Sequence, residues 1–331
     1  AQQRDLNDIK VIQNFSDLVR NESQLKMLYL LTFADIRAVS PSTWNNWNAI
    51  LLQELYVRTL EFLRGETGEF KIAKLKTDVI DLIDQETNLN NIEQHFMQMP
   101  RHELIFHKPE FIAKQIKLID KLEDNPFILS CFEEGENYAQ LGICAHIERG
   151  DFRKIAGVLV AEGINIMSAT VNTRKDGYAI YVFTINEIEY KSPNTKTSII
   201  APARRKKIKE TLTIAWKNEK LIEEIVNESN APPSSQIRTQ PSSEHPEIRF
   251  DNTESDQETI IDIRTKDKLG LLYAISTTLY ELGLNISLAK VTTQAMMAID
   301  SFYISDQNGG KIRDGIMMEE IRHKLTEKLI S

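Results

Sequence analysis

Apolar residues in the first 125 positions recur at intervals of three and four, whereas beyond residue 138 they alternate in short runs punctuated by glycine. Leu25, Leu28, Leu31 and Phe33 mark one apolar stripe. In Trp44–Arg64, Trp47, Ile50, Leu51, Leu55, Leu60 and Leu63 follow a period close to 3.6, the signature of an amphipathic helix. Ser40-Pro41-Ser42 separates the two, with Ser42 or Thr43 suited to cap the second helix. Further helices are predicted over about Phe70–Asp84 and Pro109–Glu123, with Pro109 in a first turn and joints at Met99-Pro100 and Asn125-Pro126.

The second half contains one pattern twice. Ile155–Ile166 reads IAGVLVAEGINI and Ile275–Ile286 reads ISTTLYELGLNI, 120 positions later, and Gly150 with Gly270, Ala169 with Ala289 and Val171 with Val291 keep that register. In each copy an alternating strand (Leu141–Ala145, Ile260–Arg264) runs into a loop holding the glycine. A helix follows, Phe152–Glu162 or Leu271–Leu282, and stops at Gly163 or Gly283. Next come a strand (Asn165–Asn172, Asn285–Thr292) and, in copy one, a turn at Lys175-Asp176-Gly177 into Tyr178–Ile185; a last helix covers Arg204–Trp216 or Met317–Leu329. This order implies an α+β fold: an all-helical N-terminal segment followed by two ferredoxin-like βαββαβ domains. Residues 220–246 form a polar, Pro/Ser-rich linker, and Glu247–Phe250 is expected to supply the last strand of copy one.

At 331 residues the chain has length for two or three domains. Its net charge of −8 disfavours a nucleic-acid partner, and the one basic run, Arg204–Lys209, reads as a solvated helix face. Cys131 and Cys144 form no CxxC pair, which fits a reduced, cytoplasmic compartment. No apolar run has the length of a membrane span and no signal peptide is visible, so no membrane partner is expected. The six histidines lack metal-ligand spacing. Ala1-Gln2-Gln3-Arg4 opens in polar sequence without Met, and the expectation is a fragment of a longer protein.

The repeat resembles ACT domains, the amino-acid-sensing modules of metabolic enzymes, whose first loop runs D-R-P-G-L and whose second strand opens G-x-N-I. Copy two has Asp267-Lys268-Leu269-Gly270-Leu271 and Gly283-Leu284-Asn285-Ile286; copy one has Glu148-Arg149-Gly150-Asp151 and Gly163-Ile164-Asn165-Ile166. The resemblance implies an amino-acid site built from Asp267, Gly270, Leu271, Asn285, Gly150 and Asn165. Loop glycine admits a ligand to the backbone, the helix N-terminus suits its carboxylate, and Asn offers both donor and acceptor. Each glycine serves equally as a tight strand-to-helix turn. Copy two keeps the acidic loop start, whereas Asp151 in copy one brings negative charge to the helix N-terminus and opposes a ligand carboxylate. Copy two is therefore the better-preserved loop.

Leu30–Ala38 (LLTFADIRA), Trp44-Asn45-Asn46-Trp47, Met99-Pro100-Arg101, His107–Ala113 and Pro246–Asn252 are similar, in order, to the C-terminal part of bifunctional PII uridylyltransferase/uridylyl-removing enzymes. That resemblance implies a remnant of an HD phosphohydrolase domain at 1–65, a helical connector at 66–137, a first ACT domain at 138–250 and a second at 251–331. It further implies a parent enzyme that moves UMP from UTP to the PII signalling protein, removes it hydrolytically, and reads L-glutamine through its ACT pair. Mg²⁺ or another divalent metal serves the parent. This chain has neither the Gly-Ser motif with paired Asp residues nor the His-Asp pair of an HD site, so no catalytic set is complete and no metal is expected in it. Asp35 stands at the last HD ligand position; one carboxylate cannot hold a catalytic ion. Without the resemblance Asp35 reads as a helix-end carboxylate beside Arg37. Two other readings stay open: a free-standing amino-acid-binding ACT module without catalysis, and a relic that binds nothing.

Overall fold

Asn21 starts an 18-residue N-terminal helix by accepting the Gln24 N–H on its side-chain oxygen at 3.0 Å, the standard way to satisfy a first-turn amide. The computed structural model describes residues 4, 6, 9–39, 46–65, 69–83, 89–100, 104, 107–134, 138–187, 202–218, 221–228, 245–268, 270–291, 293–294 and 297–330. The chain divides into two compact units, one comprising residues 1–121 with 173–176 and the other 122–172 with 177–331.

The first unit is helical: α1 (Ile9–Val19), α2 (Glu22–Val39), α3 (Asn46–Leu63), α4 (Glu69–Leu82), α5 (Leu89–Gln98) and α6 (Pro109–Asp120). Pro109 occupies the first turn of α6, where its missing N–H costs nothing. Ile12, Val19, Leu25, Val79, Ile92, Ile112 and Ile116 form the buried faces. Arg58 is buried among them, with its guanidinium donating to the Leu6 carbonyl at 2.6 Å and paired with Glu54. The stripe read on α2 is only partly a core face: Leu25 is buried and Phe33 half-buried, whereas Leu28 and Leu31 are exposed.

The second unit is a twice-repeated α+β layer. Its strands are β1 (Phe127–Glu134), β2 (Ala139–His146), β3 (Ile164–Thr173), β4 (Tyr178–Glu187), β5 (Glu247–Asp251), β6 (Thr259–Lys266), β7 (Asn285–Lys290), β8 (Thr293–Gln294) and β9 (Met297–Ser305). Its helices are α7 (Asp151–Ala161), α8 (Pro202–Lys217), α9 (Leu221–Asn227), α10 (Leu271–Glu281) and α11 (Gly315–Ile330). The strands join one sheet in the order β1-β2-β4-β3-β7-β9-β6-β5, with β8 beside β9. The sheet reads the same from either end, one repeat copy on each side of the β3–β7 seam. Ile143, Phe183, Ile155 and Leu212 from copy one join Ile263, Phe302, Ile275 and Leu325 from copy two in one continuous buried cluster.

Glu247–Phe250 differs from its expected role. Glu247–Asp251 pairs antiparallel with Ile260–Arg264, so it is the outer strand of copy two, and the outer strand of copy one is β1, inside the stretch read from sequence as helical connector. In each copy the outer strand therefore comes first rather than last. The geometry explains why: a strand immediately upstream reaches the edge beside β2 or β6 through a short antiparallel turn, with no long return across the sheet. The α+β, ferredoxin-like plan itself stands.

Candidate amino-acid site at the seam between the two copies

In each copy the first long strand ends in a loop whose glycine turns the chain into a helix through the left-handed region. Gly150 has φ 93° before α7, and Gly270 has φ 82° before α10. L side chains rarely adopt that conformation, so glycine at both positions has a backbone reason.

The two loops carry different chemistry behind the same backbone. In copy one Asp151, the first residue of α7, is wholly buried. Its carboxylate accepts the Glu148 N–H at 2.9 Å, the Tyr181 hydroxyl at 3.2 Å and the Lys154 ammonium at 3.1 Å. Burial raises the Asp151 pKa above the usual carboxylate range against the pull of Lys154. Burial, followed by Asp151, raises the Tyr181 phenol well above its ordinary value. The charge foreseen at the α7 N-terminus is thus present, but turned inward and bonded to the loop's own amide.

The equivalent positions in copy two are Leu271, Ala274 and Asp300. Tyr181 stands opposite Ile143 and Asp300 opposite Ile263, the same place in the two sheets. Leu271 is buried and has no acceptor, so the loop amide at Lys268, the counterpart of Glu148, meets no helix carboxylate from that position. Burial lowers the Lys268 pKa, with Lys328 acting in the same sense, and its ammonium lies 3.4 Å from the Leu329 carbonyl.

Packing at the seam sets each loop against the other copy. Arg149, beside Gly150, places its guanidinium 4.8 Å from the centre of the Tyr280 ring and donates to the Tyr280 carbonyl at 2.5 Å. A Cβ added at Gly283 would stand 3.6 Å from the same Arg149 nitrogen. Reciprocally, a Cβ added at Gly270 would stand 3.5 Å from Val160, the repeat counterpart of Tyr280. The predicted residues therefore fall into two cross-copy junctions. Arg149, next to Gly150, lies beside the turn that leads to Asn285, and Gly270 lies against Val160 in the helix end that leads to Asn165. Asn165 and Asn285 are both exposed, and the Asn285 amide donates to the Asp306 carbonyl at 2.9 Å.

Asp35 is exposed on α2, and among the described residues no group of three His, Cys, Asp or Glu side chains is placed to hold a metal. From the sequence Arg149 has no role beyond its place in the loop, and Arg153 and Tyr280 are not among the residues predicted for the site. Arg153 also lies over the Tyr280 ring, 4.4 Å from its centre. Their signal was available in the repeat register, where Arg149 faces Leu269, Arg153 faces Tyr273 and Tyr280 faces Val160: three charged or aromatic mismatches within one otherwise matching unit.

With this geometry in view, comparison with known proteins agrees with the fold. The family model described as "ACR9-like, ACT-like domain" matches residues 247–331, so copy two carries an ACT-like domain. Over nearly the whole chain the sequence is similar to proteins named bifunctional uridylyltransferase/uridylyl-removing enzyme. The relative from Azospirillum brasilense is 31% identical over 342 residues, covering 99% of this chain and 35% of the relative. Those from Bradyrhizobium diazoefficiens and Rhodospirillum rubrum are 30% and 28% identical, covering 98% of this chain and 35% and 34% of the relatives. The chain thus spans about a third of the length of the curated relatives it matches.

Proposed function

We propose that this chain is the glutamine-sensing regulatory region of a cytoplasmic bifunctional enzyme that adds UMP to PII signalling protein from UTP and removes it hydrolytically. The observation that carries the reading is the end-to-end similarity to such relatives, over 98–99% of this chain, together with the tandem ACT-like pair. Nucleotidyl transfer and the divalent metal that serves it belong, on this reading, to the parts of the relatives outside the matched third. Asp35 alone supplies no metal site, so the chain by itself transfers and hydrolyses nothing.

The mechanism follows from the seam. An amino acid held between a loop of one copy and the helix end of the other contacts both copies at once, so its binding energy depends on how they pack. Coupling of about 1–3 kcal/mol between two packings is enough to bias a distant equilibrium. Bound L-glutamine then favours UMP removal over UMP addition in the parent enzyme. Among the described residues no helix is long and apolar enough to cross a membrane, and neither a membrane nor a nucleic-acid partner enters the reading.

Calorimetric titration of the chain with L-glutamine, with L-glutamate as control, tests it. Saturable, glutamine-selective heat is expected; a folded chain that gives no heat with either ligand contradicts it.

A further inference from the structure

We infer that β3 is a mechanical link: it lines the seam along its length and ends in a turn anchored by Arg174 in the helical unit, so that a change of packing at the seam is delivered to α5. The inference deepens the regulatory reading above and rests on it for its purpose, naming the route by which the seam reaches the helices.

The strand serves both units. Ser168–Thr170 of β3 stand opposite Leu288–Lys290 of β7, and the Met167 carbonyl accepts the Val291 N–H at 3.2 Å. Shortly afterwards the chain changes units. Thr173–Asp176 belong to the helical unit, whereas Asn172 before them and Gly177 after them belong to the sheet. At about 3.3 Å per strand residue, Thr170 and Arg174 are about 13 Å apart. Extended backbone over so short a span has little slack, so the turn follows the strand.

Within the helical unit the turn is firmly seated. Lys175 donates its N–H to the Gln98 carbonyl at 3.0 Å. Gln98 is the last residue of α5, and its carbonyl is one that a helix end cannot satisfy internally. Arg174 is buried, and its guanidinium is gripped twice by Asp176, at 3.0 Å and 2.5 Å, a bidentate pair that fixes its orientation. His95 of α5 and Gln115 of α6 are fully buried polar neighbours in the same unit. Burial and then the Arg174 charge hold the His95 pKa down, which places the guanidinium close to the last turns of α5. A cation there also meets the negative end of the helix dipole. A buried guanidinium is stable only where its partners are in place, which ties the docked turn to one position.

Copy two supplies the comparison. Thr293 and Gln294 stand at the repeat positions of Thr173 and Arg174. There the chain continues its own hairpin, Thr293 opposite Ala298 and Gln294 opposite Met297 of β9. That turn remains in the sheet unit. One repeat thus carries glutamine and keeps its turn, and the other carries arginine and gives its turn to the helices.

The test is amide hydrogen exchange of the full chain, read in residues 89–98 with residues 9–19 of α1 as control. Arg149→Ala removes the Arg149 contacts to Tyr280 and loosens the seam without any ligand. Exchange in 89–98 is expected to quicken about threefold or more over the parent, with 9–19 unchanged. In Arg174→Gln, which installs the copy-two residue, adding Arg149→Ala is expected to leave 89–98 unaltered. Asp176→Asn, which releases the guanidinium at a partly exposed position, takes the place of Arg174→Gln if that variant does not fold. Equal exchange in 89–98 for the parent and Arg149→Ala overturns the link, and so does a response to Arg149→Ala that survives in the Arg174→Gln background. Neither outcome touches the glutamine reading, which falls on the absence of heat in the titration above, whereas the link is decided by exchange alone.

Discussion

Ala169 of β3 stands directly opposite Ala289 of β7, and the two are the same residue of the repeat. Both are fully buried. A local two-fold therefore passes between them, and the loops it relates differ in chemistry: Arg149 meets Tyr280 at one end, and Gly270 stands beside Val160 at the other. Ala169 and Ala289 belong to the buried cluster that also takes in Ile155 of α7 and Ile275 of α10. The fused sheet makes the pair of copies one structural body, which is what a ligand at the seam needs in order to act on both.

The helix contact above the seam depends on Gly157. A Cβ there would lie 2.9 Å from both Ile222 and Tyr273, closer than real side chains approach. Gly157→Val is expected to lower stability by about 1–3 kcal/mol through overpacking, despite the gain in helix propensity, and the urea midpoint measures it. A midpoint equal to the parent's would show that α7 and α10 have slack.

Lys154 is the cation that makes a wholly buried Asp151 tolerable. Lys154→Met leaves that carboxylate without its ammonium, a loss of about 3–5 kcal/mol at pH 7.5. The sign with pH is fixed by the direction of the shift. A carboxyl whose folded pKa is raised holds its proton longer in the folded state, so its penalty appears as pH rises through the folded value and disappears in acid. The defect of Lys154→Met should accordingly shrink between pH 7.5 and pH 4.5 in chemical denaturation.

Most of the architecture was legible because it is written periodically. The 3.6-residue stripes placed helices, and the 120-residue repeat placed the loops and the glycines that require a positive φ. The origin of each outer strand was not legible: Glu247–Asp251 alternates equally well as a last strand of copy one or a first strand of copy two, and only pairing with β6 decides. The inward turn of Asp151 was also hidden: Lys154 lies one helical turn on, at a spacing any exposed pair shares, but the Tyr181 hydroxyl that it meets comes from a strand 30 residues away. The Arg149 contact escaped for the same reason, being made 131 residues away.

In the helical unit, His95 is a second pH-dependent element. It is fully buried, and burial holds its pKa down to about 3, with the Arg174 guanidinium pushing the same way. The unfolded chain takes up the proton near the ordinary value of 6.5, so stability from neutral His95 is complete above that pH and is lost as pH falls towards 3. About 2–3 kcal/mol should be gone by pH 4.5. Asp120, raised by burial, acts in the opposite sense near its own pKa. The difference between the parent chain and His95→Leu, followed by urea denaturation from pH 7.5 to 4.5, isolates the histidine; parallel profiles would contradict its assignment as a buried neutral group.

Gly270→Val places a branched side chain at a positive φ and against Val160, so it combines strain with blockage of the loop. L-Glutamine binding is expected to be lost, beyond the roughly 1–3 kcal/mol cost of strain to the fold. Normal binding by this variant in calorimetry would move the site away from the Gly270 loop.

The most direct measurement of the central claim is amide hydrogen exchange of the chain with and without saturating L-glutamine. Slowed exchange in peptides covering the loops and turns of the seam, among residues 147–151, 162–166, 266–272 and 283–286, is the predicted result. Exchange unaltered by L-glutamine across the whole of a folded chain would contradict the account of this protein as a glutamine sensor.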